Sequence, residues 1–359
     1  MNLLTDLLHK WHQAQPFEQA VRERLEREFR IDFNFNSNHI EGNTLTYGQT
    51  QLLFMFGETA GSAPLKDYEE MKAHNVGLDM MRQEAADKER PLTESFIREL
   101  NRVILVQDFW KDAITPNGEK TRILIKVGRY KDQPNSVETS SGEIFHYAGV
   151  EETAAFMSSL VEWYNEQERK ADMSPIELAA LLHYRYIRIH PFGDGNGRIA
   201  RLLVNYVFSR HNYPMIVIRN DEKQKYLRIL HQCDVAVGLT PSDGANASID
   251  KITPFIDYIT DIMIDTLQND LKIIMGKKGG AIATQWRYNG EPITIKNRLQ
   301  TTILETLLVE PKISIAKMAQ LVGFSKTTIQ NSINQLRKKG YIDRIGSTRG
   351  FWKVNLKRE

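Results

Sequence analysis

His190-Pro191-Phe192-Gly193-Asp194-Gly195-Asn196-Gly197-Arg198-Ile199-Ala200-Arg201 gathers a base, an acid, three glycines and two arginines into twelve residues, and the fold can be read outward from it. On its amino-terminal side Ser174-Pro175-Ile176-Glu177 is a capping box with proline at the first helical position. Leu178, Leu181, Leu182, Tyr186 and Ile189 follow at helical spacing. Pro191 ends that helix, because the residue before a proline avoids helical geometry, and so His190 stands at the exit. The glycines dictate a tight turn, after which Ile199, Leu202, Leu203, Tyr206 and Val207 mark one face of a second helix. The unit is helix, glycine-rich loop, helix, and it predicts a mainly α chain.

The loop's residue types suggest its chemistry. Glycines let the backbone approach a ligand closely, and the helix that starts there turns its unpaired amides and positive dipole end toward the loop, which suits phosphate. Arg198 and Arg201, three apart at the helix head, add charge-assisted contacts to phosphate oxygens. Asp194 is the hard oxygen ligand Mg2+ takes when phosphates supply most of the rest. His190 is a base whose ordinary pKa lies near physiological pH. Each residue also has a plainer use. A histidine before proline commonly bonds a helix end, Asp194 can cap the following helix, and the arginines can be solvated charges. Their conjunction favours an anion site.

The run resembles the signature His-x-Phe-x-(Asp/Glu)-Gly-Asn-Gly-Arg-x-x-Arg of Fic-domain AMP transferases, with every fixed position present. The resemblance implies a Fic-type helical bundle with a β-hairpin flap, and a nucleotidyltransferase moving AMP from ATP to a Ser, Thr or Tyr hydroxyl of a target protein or of itself. It assigns His190 as the base that deprotonates the hydroxyl and Asp194 as the ligand of Mg2+. Gly195, Asn196 and Gly197 become the anion hole, Arg198 and Arg201 bind the β- and γ-phosphates, and Phe192 points into the core.

Ser37-Asn38-His39-Ile40-Glu41-Gly42-Asn43 is similar to the inhibitory helix of the same family, (Ser/Thr)-x-x-x-Glu-(Gly/Asn), which here covers about residues 30–43. In members that carry it, the glutamate pairs with the second arginine, which maps to Glu41 and Arg201 with Ser37 as the motif's first residue. Helical periodicity from Gln15 through Glu41 puts that acid in a last helical turn, where the dipole disfavours it. An ordinary exposed glutamate is the plainer reading. Val137-Glu138-Thr139, a Ser140-Ser141-Gly142 turn and Glu143 to Tyr147 predict a hairpin within about 135–147. The resemblance makes it the flap, with Val137, Glu138 and Thr139 near the nucleotide. Tyr226 matches a family tyrosine beside adenine, and is otherwise a half-buried aromatic. Asp234 stands where some relatives place asparagine.

Further helices are expected around 67–86, 93–107 and 151–169. The last seventy residues give helical patterns near 294–309, 314–321 and 325–339 and two short strands around Gly346-Ser347-Thr348, a winged helix-turn-helix pattern. The expected division is residues 1–270 as the catalytic domain, 271–292 as a linker region and 293–359 as the winged-helix domain. At 359 residues the chain suits two cores. Charge divides similarly: residues 271–359 hold 17 Lys+Arg against 5 Asp+Glu, leaving 30 against 40 for the rest, or +12 against −10. A basic appendage suggests DNA through Ser325 to Lys339, although winged helices also dock proteins or form homodimers. No apolar run is long enough for a membrane span, no secretory signal is visible, and the single Cys233 cannot form an internal disulfide, so the expected compartment is the cytoplasm. The alternatives to AMP transfer are removal of AMP by the same site, and a nucleotide-sensing regulator that binds DNA.

Overall fold

Helices dominate the chain, as its periodicity predicts. The computed structural model describes residues 3–57, 59, 63–115, 118–135, 137–138, 144–275, 284–295, 297–322, 324–346 and 350–358. The order begins α1 (Leu3–Gln13), α2 (Gln19–Ile40), α3 (Tyr47–Phe56), α4 (Leu65–Ala86), α5 (Glu94–Leu105), β1 (Phe109–Ile114), β2 (Lys120–Ile125), β3 (Val137–Glu138) and β4 (Ile144–Phe145). Then come α6 (Val150–Lys170), α7 (Pro175–Ile189), α8 (Asn196–Arg210), α9 (Lys223–Val237), α10 (Pro241–Ala245) and α11 (Thr253–Ile274). The chain closes with β5 (Thr284–Tyr288), β6 (Glu291–Ile295), α12 (Arg298–Val309), α13 (Ile315–Val322), α14 (Lys326–Lys338), β7 (Ile342–Ile345), β8 (Phe351–Val354) and β9 (Leu356–Arg358). The pattern expected from Gln15 begins only at Gln19, because Pro16 has no N–H to donate and pushes its predecessor out of helical geometry.

Two compact units emerge, and neither is one continuous stretch. The first comprises residues 1–17, 32–43 and 69–268, and the second 18–31, 44–68 and 269–359. The division expected near residue 270 therefore misses α3, which packs on α12 and α13 within the second unit. Its Leu52 and Leu53 are buried, and that apolar demand outweighs sequence proximity. Nor is all of 271–292 a linker. Strand β5 is paired on both edges, in the order β6-β5-β9, and Trp286 within it is fully buried.

In the first unit α7 and α8 pack on each other, with α6 against α7 and α5 against α8. The capping box holds as read: Ser174 Oγ accepts from the Glu177 amide at 3.2 Å, and Glu177 Oε2 accepts from the Ser174 amide at 2.8 Å. Burial runs almost all round α8, from Arg198 through Phe208, so it is a central helix whose buried surface extends beyond the one face its apolar spacing marks. In the second unit Ile303, Leu304 and Leu307 of α12 share a core with Ile329, Ile333, Leu336 and Trp352. The β7–β8 hairpin forms the wing, and Lys326, Asn331, Asn334 and Arg337 give α14 an exposed polar side.

Candidate active site

His190 ends α7 in a left-handed conformation, φ 51°, and its amide donates to Tyr186 O at 2.9 Å. Its Nδ1 lies 3.3 Å from the Ile187 carbonyl. A carbonyl can only accept, so this contact puts the proton on Nδ1 and leaves a lone pair on Nε2, the tautomer a base requires. The ring stacks on Tyr147, centroids 4.0 Å apart and planes 17° apart. Burial, reinforced by the Lys131 ammonium, lowers its pKa to about 4 and keeps the imidazole neutral.

Side chains from outside the loop hold its carbonyls. Asn135 Nδ2 donates to His190 O at 3.1 Å and to Phe192 O at 2.9 Å. The buried Lys131 donates its ammonium to Ile189 O at 3.2 Å and to Asn135 Oδ1 at 2.8 Å, and its amide to Pro191 O at 2.8 Å. Asn196 closes the turn from within, since its Oδ1 accepts from the Phe192 amide at 3.1 Å and its Nδ2 donates to Phe192 O at 2.7 Å. Its side chain is thereby spent on the loop, and only its backbone faces an anion hole. Phe192 is buried as expected.

Ile199 is the first α8 residue whose amide bonds back, to Gly195 O at 3.1 Å. The amides of Asn196, Gly197 and Arg198 precede the first intrahelical bond, so they are the open donors of a helix start. Gly195 sits at φ 82°, a left-handed position open to glycine without penalty. Arg198 and Arg201 are buried, so neither is the solvated surface charge of the plainer reading.

Asp194 carries a cation on each oxygen. Oδ2 meets Lys111 Nζ at 2.7 Å, while Oδ1 accepts from the Gly195 amide at 2.6 Å and lies 3.6 Å from Arg198 Nη2. Burial pushes its pKa up, but Lys111 and Arg198 prevail and hold it below the usual carboxylate value. Among the described residues no group of three or more His, Cys, Asp or Glu gathers to hold a metal. An ionised lone carboxylate suits a hard divalent ion that draws its other ligands from phosphate and water.

Glu41 and Arg201 meet as the two motifs imply. Arg201 Nη2 donates to Glu41 Oε1 at 2.7 Å and to Ser37 O at 2.9 Å, and Nε donates to Ser37 Oγ at 3.0 Å. Ser37 Oγ lies 3.1 Å from Nε2 of the buried His74, whose Nδ1 lies 2.7 Å from Asn34 Oδ1. Burial, with Arg198 and Arg201 nearby, keeps His74 neutral, which lets Nε2 accept from the serine. Helix α2 stops at Ile40, so Glu41 lies one residue past it, not in its last turn. A Cβ at Gly197 would overlap the Glu41 carboxylate. The acid therefore sits over the first turn of α8: misplaced for the dipole of its own helix, it is well placed for that of another. Burial opposes its charge and Arg201 favours it, leaving the pKa lowered.

Strands β3 and β4 pair antiparallel, Val137 with Phe145 and Glu138 with Ile144, as the hairpin reading expects. Thr139 lies outside the described residues. Tyr226 is 3% exposed, with its hydroxyl 2.7 Å from His183 Nε2, and burial raises its pKa to about 12. Asp234 accepts from Tyr184 Oη at 2.7 Å and from Arg188 Nη1 at 3.2 Å. Lys111, Lys131, Asn135, His74 and Tyr147 are the contacts sequence reasoning missed. Only Asn135 and Tyr147, at the two ends of the expected hairpin, carried any signal.

With this geometry in view, comparison with known proteins is direct. The pattern of the Fic/DOC family matches residues 91–208, and that of winged helix-turn-helix DNA-binding matches 296–343. A Fic domain containing signaling protein from Bacteroides thetaiotaomicron, of solved structure, is 60% identical, with a TM-score of 0.73 over 77% of this chain and 98% of that one. Fic-1 from C. elegans shares the fold, at a TM-score of 0.59 and 21% identity over 76% of this chain and 72% of that one. The protein adenylyltransferase Fic of Drosophila virilis is 28% identical over 73% of this chain, and fic-1 of Caenorhabditis briggsae 24% identical over 72%. The chain spans 46% and 45% of those two relatives' lengths.

Proposed function

The chain belongs to the Fic/DOC family, and we propose that it is an autoinhibited protein adenylyltransferase that moves AMP from ATP to a protein hydroxyl. The observation that carries this reading is the pairing of a neutral His190, its proton on Nδ1, with a helix start whose open amides and two buried arginines suit a polyphosphate. Nε2 takes the proton of a Ser, Thr or Tyr hydroxyl as its oxygen attacks the α-phosphorus. The bond to the β-phosphate breaks and pyrophosphate leaves, its charge met by Arg198 and Arg201. Asp194 would hold Mg2+, which neutralises phosphate charge when bound. Strand addition to the flap, through Val137 and Glu138, would align the acceptor. Incubation of lysate with ATP labelled at the α-phosphate and the Glu41→Gly variant is expected to label proteins, the enzyme itself included. No labelled protein would overturn the reading.

One observation favours a second outcome at the same site. Arg201 engages a single oxygen of Glu41, whose side chain remains 37% exposed, so the carboxylate can orient a water and return AMP from a modified target. Release of AMP from a labelled protein by the unaltered chain, lost in Glu41→Gly, would establish removal. For the second unit we propose DNA binding, supported by the winged-helix match and the polar side of α14, with homodimer formation as the other use of such a module. Among the described residues no helix is long and apolar enough to cross a membrane. Cys233 is free and buried, which suits the cytoplasm.

A further inference from the structure

Strand period fixes where Lys111 points. The β1–β2 register pairs Phe109 with Ile125 and Lys111 with Ile123, so these four share one face of the hairpin. Ile125 is buried there and stands close enough to Gly193 to exclude a Cβ at that position. The opposite face carries Trp110, 57% exposed, and Ile114, 72% exposed. Lys111 is therefore on the face turned to the catalytic loop, and its ammonium lies 2.7 Å from Asp194 Oδ2.

We propose that Lys111 is the cation Asp194 holds until a divalent metal replaces it. This rests on the assignment of Asp194 as metal ligand in the proposed function. A hard ion needs a carboxylate oxygen: Oδ1 faces the Gly195 amide and the buried Arg198, which are held in the fold, so the oxygen most readily freed for it is the one Lys111 occupies. The exchange is easy for three reasons. Lys111 and Asp194 side chains are 48% and 25% exposed, and pairs of that kind are weakly held. The lysine stem is flexible, so the ammonium can swing away without moving the strand. A doubly charged ion bridging carboxylate and phosphate outcompetes a single charge at the same oxygen. Until then the ammonium keeps the carboxylate ionised and gives an arriving polyphosphate a positive charge to meet.

Loss of Lys111 then has two effects with one sign. Without metal, nucleotide loses a cation; with metal, the ion loses a competitor. Calorimetric titration of the full chain carrying Glu41→Gly, which clears the phosphate cradle, with α,β-methylene ATP gives the ratio of the dissociation constant in EDTA to that in excess Mg2+. Adding Lys111→Met is expected to enlarge that ratio by about threefold, the scale of an exposed ion pair. An unchanged or smaller ratio on adding Lys111→Met, with a ratio above one while Lys111 is present, overturns the proposal and leaves the metal site standing. A ratio of one with Lys111 present removes the metal from Asp194, and the proposal with it. The side chain is exposed enough that its replacement leaves the fold intact, and the measurement reads binding, not turnover.

Discussion

Two contacts hold His190 in the state the proposed function asks of a base, a carbonyl that fixes its proton on Nδ1 and a tyrosine ring that fixes its plane. Replacing it by Ala should abolish AMP transfer and leave affinity for ATP within about twofold, because the open amides of α8 do not need it. Transfer at a normal rate would remove the mechanism. With a pKa of about 4, its imidazole is neutral across the range in which an ordinary histidine would be charging. The transfer rate of Glu41→Gly should therefore hold from pH 7 to pH 5, where an unshifted base would lose most of it; a rate that halves near pH 6.5 contradicts the buried environment. Stability follows the same groups. The folded pKa values of His190, about 4, and His183, about 3, lie below the unfolded value near 6.5, so between these limits the unfolded chain binds protons the folded one refuses. Their contribution is complete above pH 6.5 and is lost as pH falls toward 4 and then 3, which urea denaturation at pH 7 and pH 5 would reveal as lower stability at pH 5.

Among the elements, the exit of α7 depends on polar side chains from the segment leading to the flap. Asn135 alone satisfies carbonyls on both sides of Pro191. Asn135→Ala should cost about 1–3 kcal/mol of stability through the His190 carbonyl and the Lys131 ammonium that each lose a partner, and let His190 drift. A drop of about tenfold in transfer, with nucleotide affinity retained, is the expected result of misplacing the base. Unchanged kinetics would show that Asn196, which also bonds Phe192 O, holds the loop unaided. At the end of α2 the terminal carbonyls are met from elsewhere as well, Ser37 O by Arg201 and Ile40 O by the Lys223 ammonium at 2.7 Å, cations where the dipole wants them.

For the whole molecule, the decisive contact joins residues 160 apart in sequence, Glu41 and Arg201. The Glu41 carboxylate occupies both the arginine and the space over the first turn of α8; under the proposed function ATP then loses a phosphate contact and an open amide cradle together. Glu41→Gly should raise AMP transfer by roughly tenfold or more, about 1.4 kcal/mol of recovered transition-state stabilisation, and Arg201→Ala in that background should cancel the gain. A gain that survives loss of Arg201 would show that clearing the cradle is what matters. The basic segment 271–359, at +12, should bind duplex DNA with an affinity that falls steeply with salt, each phosphate contact adding about 0.9 to the logarithmic slope. No binding at low salt would make it a docking module.

The sequence by itself determined the helix–loop–helix unit, the residue types that suit an anion, the presence of the flap hairpin and the winged-helix tail, because each is a local matter of period, capping and turn chemistry. It also supplied Glu41 and Arg201 as partners, though only through resemblance to other chains. What the fold alone decided is everything that needs two distant segments to meet. Asp194 is shielded by a lysine from β1, His190 is stacked by Tyr147, Arg201 is tied through Ser37 to His74, and α3 leaves its sequence neighbours for the second unit. No spacing rule reaches across such distances, since burial and pairing between remote elements are settled only when the chain has packed.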